Sequence, residues 1–277
     1  YDVTEYDVTV TVSTVKTDGK VTALQTTVVY SKDGIAVTTP NFENTYTTKG
    51  EAKLQVSKAL KTNQDSYQTD EVFTFNLYDA ADKLVGTATA KAGQTALFDP
   101  ITYNVPGEYT YPIQEAEPAT KTPGISYDTA KYPVTVTMTD NGDGTMSSRV
   151  TYPGEDDDLT ITNIYSEAHV SLRVKKTVAG NVYGTGYNPD EVFNFLLLAE
   201  DGQTVVDSVS CKAGETVSFN NEFVYYEPGT HTFYIQEVAG TTAGMIYDST
   251  KHPVMIKVEK DAQGYLKSTV TYADSVS

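Results

Sequence analysis

The sequence has few of the residues that cross-link a secreted domain by disulfides and no long apolar run that could anchor it in a membrane. One cysteine and no tryptophan occur in 277 residues, and a single cysteine excludes the intrachain disulfides of small secreted β-domains. No apolar run reaches the roughly 18 residues of a membrane-spanning helix, and no initiator methionine, signal peptide or wall-sorting tail is present. We therefore expect a segment internal to a longer protein, with no membrane span in it.

Basic residues are also scarce. Lys and Arg number 20 against 37 Asp and Glu, which gives a formal net charge of -17. Binding to nucleic acid or to an anionic membrane requires clustered positive charge, so both classes of partner are excluded. An acidic surface of this kind is typical of a soluble, self-repelling extracellular protein.

Motifs for a metal, a cofactor or an enzyme nucleophile are missing as well. The three histidines fall at unrelated positions, and the acidic run at 155–158 lacks the ligand spacing of a calcium loop. No phosphate loop or nucleophile elbow occurs. We predict no metal, no cofactor and no enzyme activity.

What the sequence does contain is repetition. The phrase YDVTEYDVTVTV from Tyr1 returns as YDTAKYPVTVTM from Tyr127 and as YDSTKHPVMIKV from Tyr247. An interval of about 120 residues is too long for a solenoid repeat and fits tandem domains. We predict three copies: 1–48, the C-terminal strands of a truncated domain; 50–165, a complete domain; and 168–277, a third domain that lacks its last strand.

Strands are predicted almost throughout. Segments of five to eight residues rich in Val, Thr, Tyr and Phe alternate with period two and are separated by turn signals such as TDG at Thr17. Helical periodicity is absent. The fold class is therefore all-β, with an immunoglobulin-like sandwich for each copy.

Polar residues occupy inward-facing positions of three strands in the complete copy. Alternation in LQVSKAL places Lys58 on the face of Leu54 and Val56, and the same rule turns Glu115 and Asn163 inward. The third copy repeats the pattern with Lys176 and Glu237. The first copy repeats only the asparagine, as Asn44.

Two interpretations fit a buried lysine, glutamate and asparagine. In the simpler one, Lys58 and Glu115 form a salt bridge hydrogen-bonded to Asn163, or the strand ends reach solvent. In the other, burial favours a neutral amine and a protonated acid. The Lys58 amine then attacks the Asn163 side-chain carbonyl, Glu115 shuttles protons, and ammonia leaves behind an amide.

The ordered set of these residues, with DEVFTFNLYD at Asp70 and GISYDTAKYPVTV at Gly124, resembles the FctA-type (T-antigen) major pilin domains of Gram-positive bacteria. Those domains are similar to Cna-B type domains, an inverse immunoglobulin fold with a spontaneous Lys–Asn isopeptide bond. The resemblance implies tandem Cna-B type sandwiches over nearly the whole chain.

The resemblance also implies roles for the inward-facing residues. Lys58 and Asn163 would be the bonded pair of the middle domain and Glu115 its catalytic acid, with Lys176 and Glu237 in the same roles in the last domain. Asn44 would be the bonded asparagine of the first. It would pair with a lysine upstream of this sequence or with Lys176 of the same or a neighbouring chain.

The function predicted from these features is a stalk or pilus-like shaft outside the cell, anchored to the wall through a segment beyond this one. Its partners would be neighbouring domains or subunits of the same surface protein. The alternative is an adhesin whose exposed tyrosine-bearing faces bind a host protein or glycan. Accessory domains of an extracellular enzyme, with the catalytic unit elsewhere, are a third possibility.

Overall fold

The computed structural model describes residues 1–154, 157–179 and 188–273. Within these ranges the chain forms 21 strands and no helix, as the all-β prediction requires. In this described part no helix could span a membrane. Two compact units are present. One comprises Tyr1–Glu51, Ile101–Gly107 and Thr137–Arg149, and the other comprises Ala52–Pro100, Glu108–Val136 and Val150–Ser277.

The first copy forms a three-stranded antiparallel sheet in the order β1-β2-β3. Its strands are β1 (Asp7–Thr17), β2 (Lys20–Lys32) and β3 (Ile35–Val37). Asp18 and Gly19 join the first two with φ of 51° and 82°, the paired positive values of a two-residue hairpin turn. The turn predicted at Thr17 is thus confirmed.

Apolar side chains on this sheet face solvent. Val10, Val12 and Leu24 are all exposed, because the strands of one sheet have no second layer to cover them among the described residues of this copy. Residues 40–46, within the stretch 1–48 predicted to consist of strands, carry no strand assignment, and Phe42 and Tyr46 are exposed. That prediction is wrong here because no neighbouring strand pairs with the segment in the described chain.

The middle copy is a two-layer sandwich. One sheet has the order β13-β12-β10-β6-β7 and the other β11-β14-β5-β8, while β4 and β9 form a small separate pair. The strands are β4 (Gly50–Ala52), β5 (Gln55–Thr62), β6 (Val72–Tyr78), β7 (Leu84–Lys91), β8 (Thr95–Leu97), β9 (Ile101–Tyr103), β10 (Gly107–Glu115), β11 (Ile125–Ser126), β12 (Lys131–Asp140), β13 (Met146–Thr151) and β14 (Thr160–Tyr165). Leu54, Phe75, Ile113 and Ile161 fill the space between the sheets with no exposed surface.

The first and last main strands of this copy are direct neighbours. β14 pairs with β5 in parallel, with Ile161 opposite Lys58 and Asn163 opposite Leu60. Since both strands show the same pleat, the side chains of Lys58 and Asn163 enter the same core two residues apart in register.

The last copy repeats the two layers, but its described residues contain no counterpart of β14. Its sheets are β15-β18 and β17-β16-β19-β20-β21. The strands are β15 (Ala168–Lys175), β16 (Val192–Leu198), β17 (Val205–Lys212), β18 (Thr216–Tyr225), β19 (Gly229–Val238), β20 (Lys251–Lys260) and β21 (Leu266–Tyr272). Within the described residues, β15 has no strand on the edge where β5 receives β14. Met245 is consequently only half-buried, whereas its counterpart Ile125 is 6% exposed beside β14.

Two equivalent glycines allow the packing of β14 to be tested. Gly124 and Gly244 share a φ of +84°, but an added Cβ would lie 2.8 Å from Cε2 of Tyr165 at Gly124 and would meet nothing within 4 Å at Gly244. We expect Gly244→Ala to cost about 1–2 kcal/mol through backbone strain alone. Gly124→Ala should lower the free energy of unfolding further, because the Tyr165 ring must move. Urea unfolding of the two variants measures this, and equal losses would contradict the tight packing of β14.

Candidate functional site

Lys58 lies in the core of the middle domain. On β5 it follows Leu54 and Val56 at alternate positions, and 2% of the residue is exposed. Its Nζ lies 4.6 Å from the centre of the Phe73 ring. A lysine amine in such surroundings has lost its hydration, so it must be paired or neutral.

Glu115, at the end of β10, binds both other members of the predicted triad. Lys58 Nζ donates to its Oε2 at 2.6 Å, and Asn163 Nδ2 donates to its Oε1 at 2.7 Å. Glu115 is 4% exposed and Asn163, on β14, is fully buried. A single carboxyl group therefore holds the amine and the carboxamide together inside the sandwich.

The environment shifts both titrating groups toward their neutral forms. Burial is the largest influence on Lys58 and lowers its pKa, against the opposing effect of Glu115. Burial likewise raises the pKa of Glu115, although hydrogen bonds from Lys58 and Asn163 act in the other direction. A neutral amine is a nucleophile and a protonated carboxyl is a proton donor, so the pair can act as well as bind.

The last domain contains the first two members of the same site. Lys176 Nζ donates to Glu237 Oε1 at 2.6 Å and lies 4.4 Å from the centre of the Phe193 ring. The Lys176 side chain is 12% exposed, compared with 0% for Lys58. The lysine and the acid are thus brought together even though no asparagine reaches them in the described part of this domain.

Asn44 differs from the expectation that it faces a core. It is exposed, in a segment without strand pairing, and its Oδ1 accepts a 2.6 Å hydrogen bond from the Asp2 backbone N–H. The inward orientation inferred from alternation was wrong, because alternation places a side chain inward only where a second layer exists to receive it. The role of Asn44 as a bonded residue stays a prediction.

Among the described residues, no cluster of three or more His, Cys, Asp or Glu side chains is arranged to hold a metal ion. Part of the acidic run at 155–158, considered above for calcium, lies outside the described residues.

Comparison with protein families decides the assignment. The model of FctA, the Spy0128-like isopeptide containing domain, matches residues 54–166 and 172–277. The chain belongs to the FctA family. The FctA match spans the middle and last copies, and membership supports a structural role in a pilus-type shaft. The first copy lies outside both matched stretches, and the predicted domain limits stay a prediction.

Solved pilin structures resemble the chain at low identity. The major pilin of Streptococcus pyogenes is 18% identical, with 80% of this chain and 98% of that chain covered and a TM-score of 0.34. The T-13 major pilin of S. pyogenes is 14% identical, with 83% and 99% covered and a TM-score of 0.34. The pilus backbone RrgB of Streptococcus pneumoniae is 13% identical, with 83% and 63% covered and a TM-score of 0.18. No curated protein matches the chain.

One group of the site was missed by sequence reasoning. The backbone N–H of Asp128 donates to Asn163 Oδ1 at 2.9 Å. Backbone donors have no residue type of their own, so only the recurrence of the Tyr-Asp phrase at 1–2, 127–128 and 247–248 could have indicated it.

Proposed function

We propose that this chain is a load-bearing segment of a bacterial surface shaft and that its middle domain closes itself with an amide between Lys58 and Asn163. The observation that carries the proposal is the Glu115 carboxyl, which binds the Lys58 amine with one oxygen and the Asn163 carboxamide with the other. A salt bridge alone would not require the carboxamide at this position.

The reaction uses only groups of the chain. The Nζ lone pair of neutral Lys58 attacks Cγ of Asn163, and the carbonyl electron pair moves to Oδ1. Glu115 passes a proton from Nζ to Nδ2, the Cγ–Nδ2 bond breaks, and ammonia leaves as the carbonyl re-forms. One amide and one ammonia replace an amine and a carboxamide, so each domain reacts once and the chain is not an enzyme in the usual sense. The folded core supplies the proximity.

The position of the bond suits a shaft. β5 and β14 are the first and last main strands of the middle domain, so tension along the chain enters through one and leaves through the other. A covalent link between these neighbours carries the load without separating the strands. Unlike a disulfide, the amide is independent of the redox state of the surroundings.

The last domain has the lysine and the acid that the same reaction requires. The asparagine would have to come from a segment outside this domain. Lys176 and Glu237 are in contact, and the open edge of β15 is the place where an Asn-bearing strand would pair. This strand would come from the Asn44 segment or from another segment of the surface protein. We also propose an extracellular location with wall attachment outside this segment, and neighbouring domains or subunits as the principal partners.

Intact-mass measurement of the purified chain tests the proposal. We expect the mass to fall below the sequence mass by one ammonia, and Lys58→Ala to restore the full mass. Loss of a second ammonia would show that Asn44 serves Lys176. A wild-type chain at its full sequence mass would contradict the proposed bond.

A further inference from the structure

A backbone donor faces the side-chain carbonyl that the proposed reaction attacks. The Asp128 N–H donates to Asn163 Oδ1 at 2.9 Å, inside the middle sandwich. Oδ1 is the atom on which negative charge develops when the lysine attacks. The donor therefore lies on the oxygen, while Glu115 lies on the nitrogens.

The same donor occurs in all three copies. In the first copy, the Asp2 N–H donates to Asn44 Oδ1 at 2.6 Å, although the lysine and the acid are not part of that copy. In the last copy, the Asp248 N–H donates to Glu237 Oε2 at 2.9 Å. This N–H thus points at a site oxygen whether or not the rest of the triad is present.

The aspartate side chain holds its own N–H in place through a local turn. Asp128 Oδ1 accepts the Ala130 N–H at 2.8 Å, and Oδ2 accepts the Tyr132 hydroxyl at 2.7 Å. Such an Asx turn fixes the backbone direction at the aspartate. The turn recurs with the same 2.8 Å distance between Asp2 and Thr4 and between Asp248 and Thr250.

The residue before this aspartate is anchored as well. The Tyr127 hydroxyl donates to Glu71 Oε1 at 2.6 Å, and Thr122 Oγ1 donates to Glu71 Oε2 at 2.8 Å. In the last domain, Glu191 receives the hydroxyls of Tyr247 and Thr242 at 2.6 and 2.7 Å. Held from both sides, the Tyr-Asp pair cannot turn its N–H away without breaking several hydrogen bonds.

We propose that the Asp128 backbone N–H is a catalytic donor that binds Oδ1 of Asn163 during amide formation, and that the Asp128 side chain is the positioning residue for it. This inference rests on the function proposed above. As Lys58 Nζ bonds to Cγ, the electron pair displaced onto Oδ1 is met by a donor already in place. When ammonia departs, the pair returns to the C–O bond and the N–H remains on the new amide oxygen.

Three substitutions distinguish the effect of the Asx turn at Asp128 from the effect of the negative charge on its side chain. Asp128→Ala removes the acceptor of the turn. Asp128→Asn keeps an Oδ1 acceptor but removes the negative charge, which adds to the effect of burial in raising the pKa of Glu115. Asp248→Ala removes the equivalent turn in the last domain and serves as the matched control.

The rate of ammonia loss is followed by intact mass during cell-free synthesis, with samples stopped in acid denaturant. We expect Asp128→Ala to slow the reaction tenfold or more, since one preorganised donor to a developing oxyanion contributes about 100- to 1000-fold. Asp128→Asn should stay within about threefold of wild type because the turn is rescued. Asp248→Ala should match wild type.

Asp128→Ala removes two hydrogen bonds and could slow the reaction by disturbing the fold. A second variant therefore tests the turn without changing Asp128. Ala130→Pro removes the N–H that Asp128 Oδ1 accepts, at an exposed position, and should also slow the reaction. Wild-type rates in both Asp128→Ala and Ala130→Pro would overturn the inference, as would an Asp128→Asn rate as low as that of Asp128→Ala. Failure of the wild type to lose ammonia would instead overturn the proposed function.

Discussion

Asn163→Ala is expected to lower the free energy of unfolding of the middle domain by about 5 kcal/mol, because it removes the amide that we propose closes a loop of about 100 residues. A cross-link of that span restricts the unfolded chain much more than a short one does. The variant also leaves the half-buried Asp128 N–H and the buried Glu115 carboxyl without their amide partner, which adds to the loss.

Denaturant unfolding of wild type and Asn163→Ala, each with its mass measured first, gives the difference. Asn44→Ala is the matched control, since this asparagine has the same place in its repeat but is exposed. It should leave the transition of the middle domain within about 0.5 kcal/mol of wild type. A loss below about 1 kcal/mol in Asn163→Ala would be too small for a cross-link of this span.

Glu115→Gln is expected to slow amide formation by about 100- to 10,000-fold, the usual contribution of a positioned proton shuttle. Glutamine has nearly the shape of the glutamate and retains one acceptor oxygen, so the packing around Lys58 is preserved. It cannot, however, carry a proton from Nζ to Nδ2. A slower reaction in Glu115→Gln would therefore show that proton transfer by Glu115 contributes to the rate, in addition to the burial of the amine beside Asn163.

The same time course as a function of pH reports the two pKa shifts. The wild-type rate should fall at low pH as Lys58 becomes protonated and at high pH as Glu115 loses its proton, since burial lowers the first pKa and raises the second. Glu115→Gln should lose the high-pH fall. Glu237→Gln in the last domain is the control, and the middle domain of this variant should react at the wild-type rate. A wild-type rate in Glu115→Gln would show that Glu115 does not transfer the proton.

Much of the site could be predicted because strand alternation is a strong local rule. Lys58, Glu115 and Asn163 each share a face with apolar neighbours, and the structure buries all three. The division of the repeats into complete and incomplete copies stays a prediction, although the described residues place no strand beside β15 where β14 lies beside β5. Period-two patterning works well where both layers of the sandwich are present.

Strand alternation fails to predict burial where the second layer of the sandwich is missing, and it cannot predict a site group that belongs to the backbone. Asn44 has the alternation of an inward residue, yet it is exposed, since burial depends on partners distant in sequence. The Asp128 N–H escapes residue-based reasoning altogether, because any residue but proline has one. The direction of this N–H is set by the Asx turn at Asp128, which the sequence YDTA alone does not predict.

The parallel register of β5 and β14 also has a consequence for how far the shaft can lengthen. Lys58 lies opposite Ile161; with the proposed bond from Lys58 to Asn163, the intervening stretch of about 100 residues would be a closed side loop that contributes nothing to end-to-end extension. Released, such a stretch would add on the order of 350 Å of contour length. A fibre of these domains would therefore be nearly inextensible, keeping its length even after its sheets had lost their hydrogen bonds.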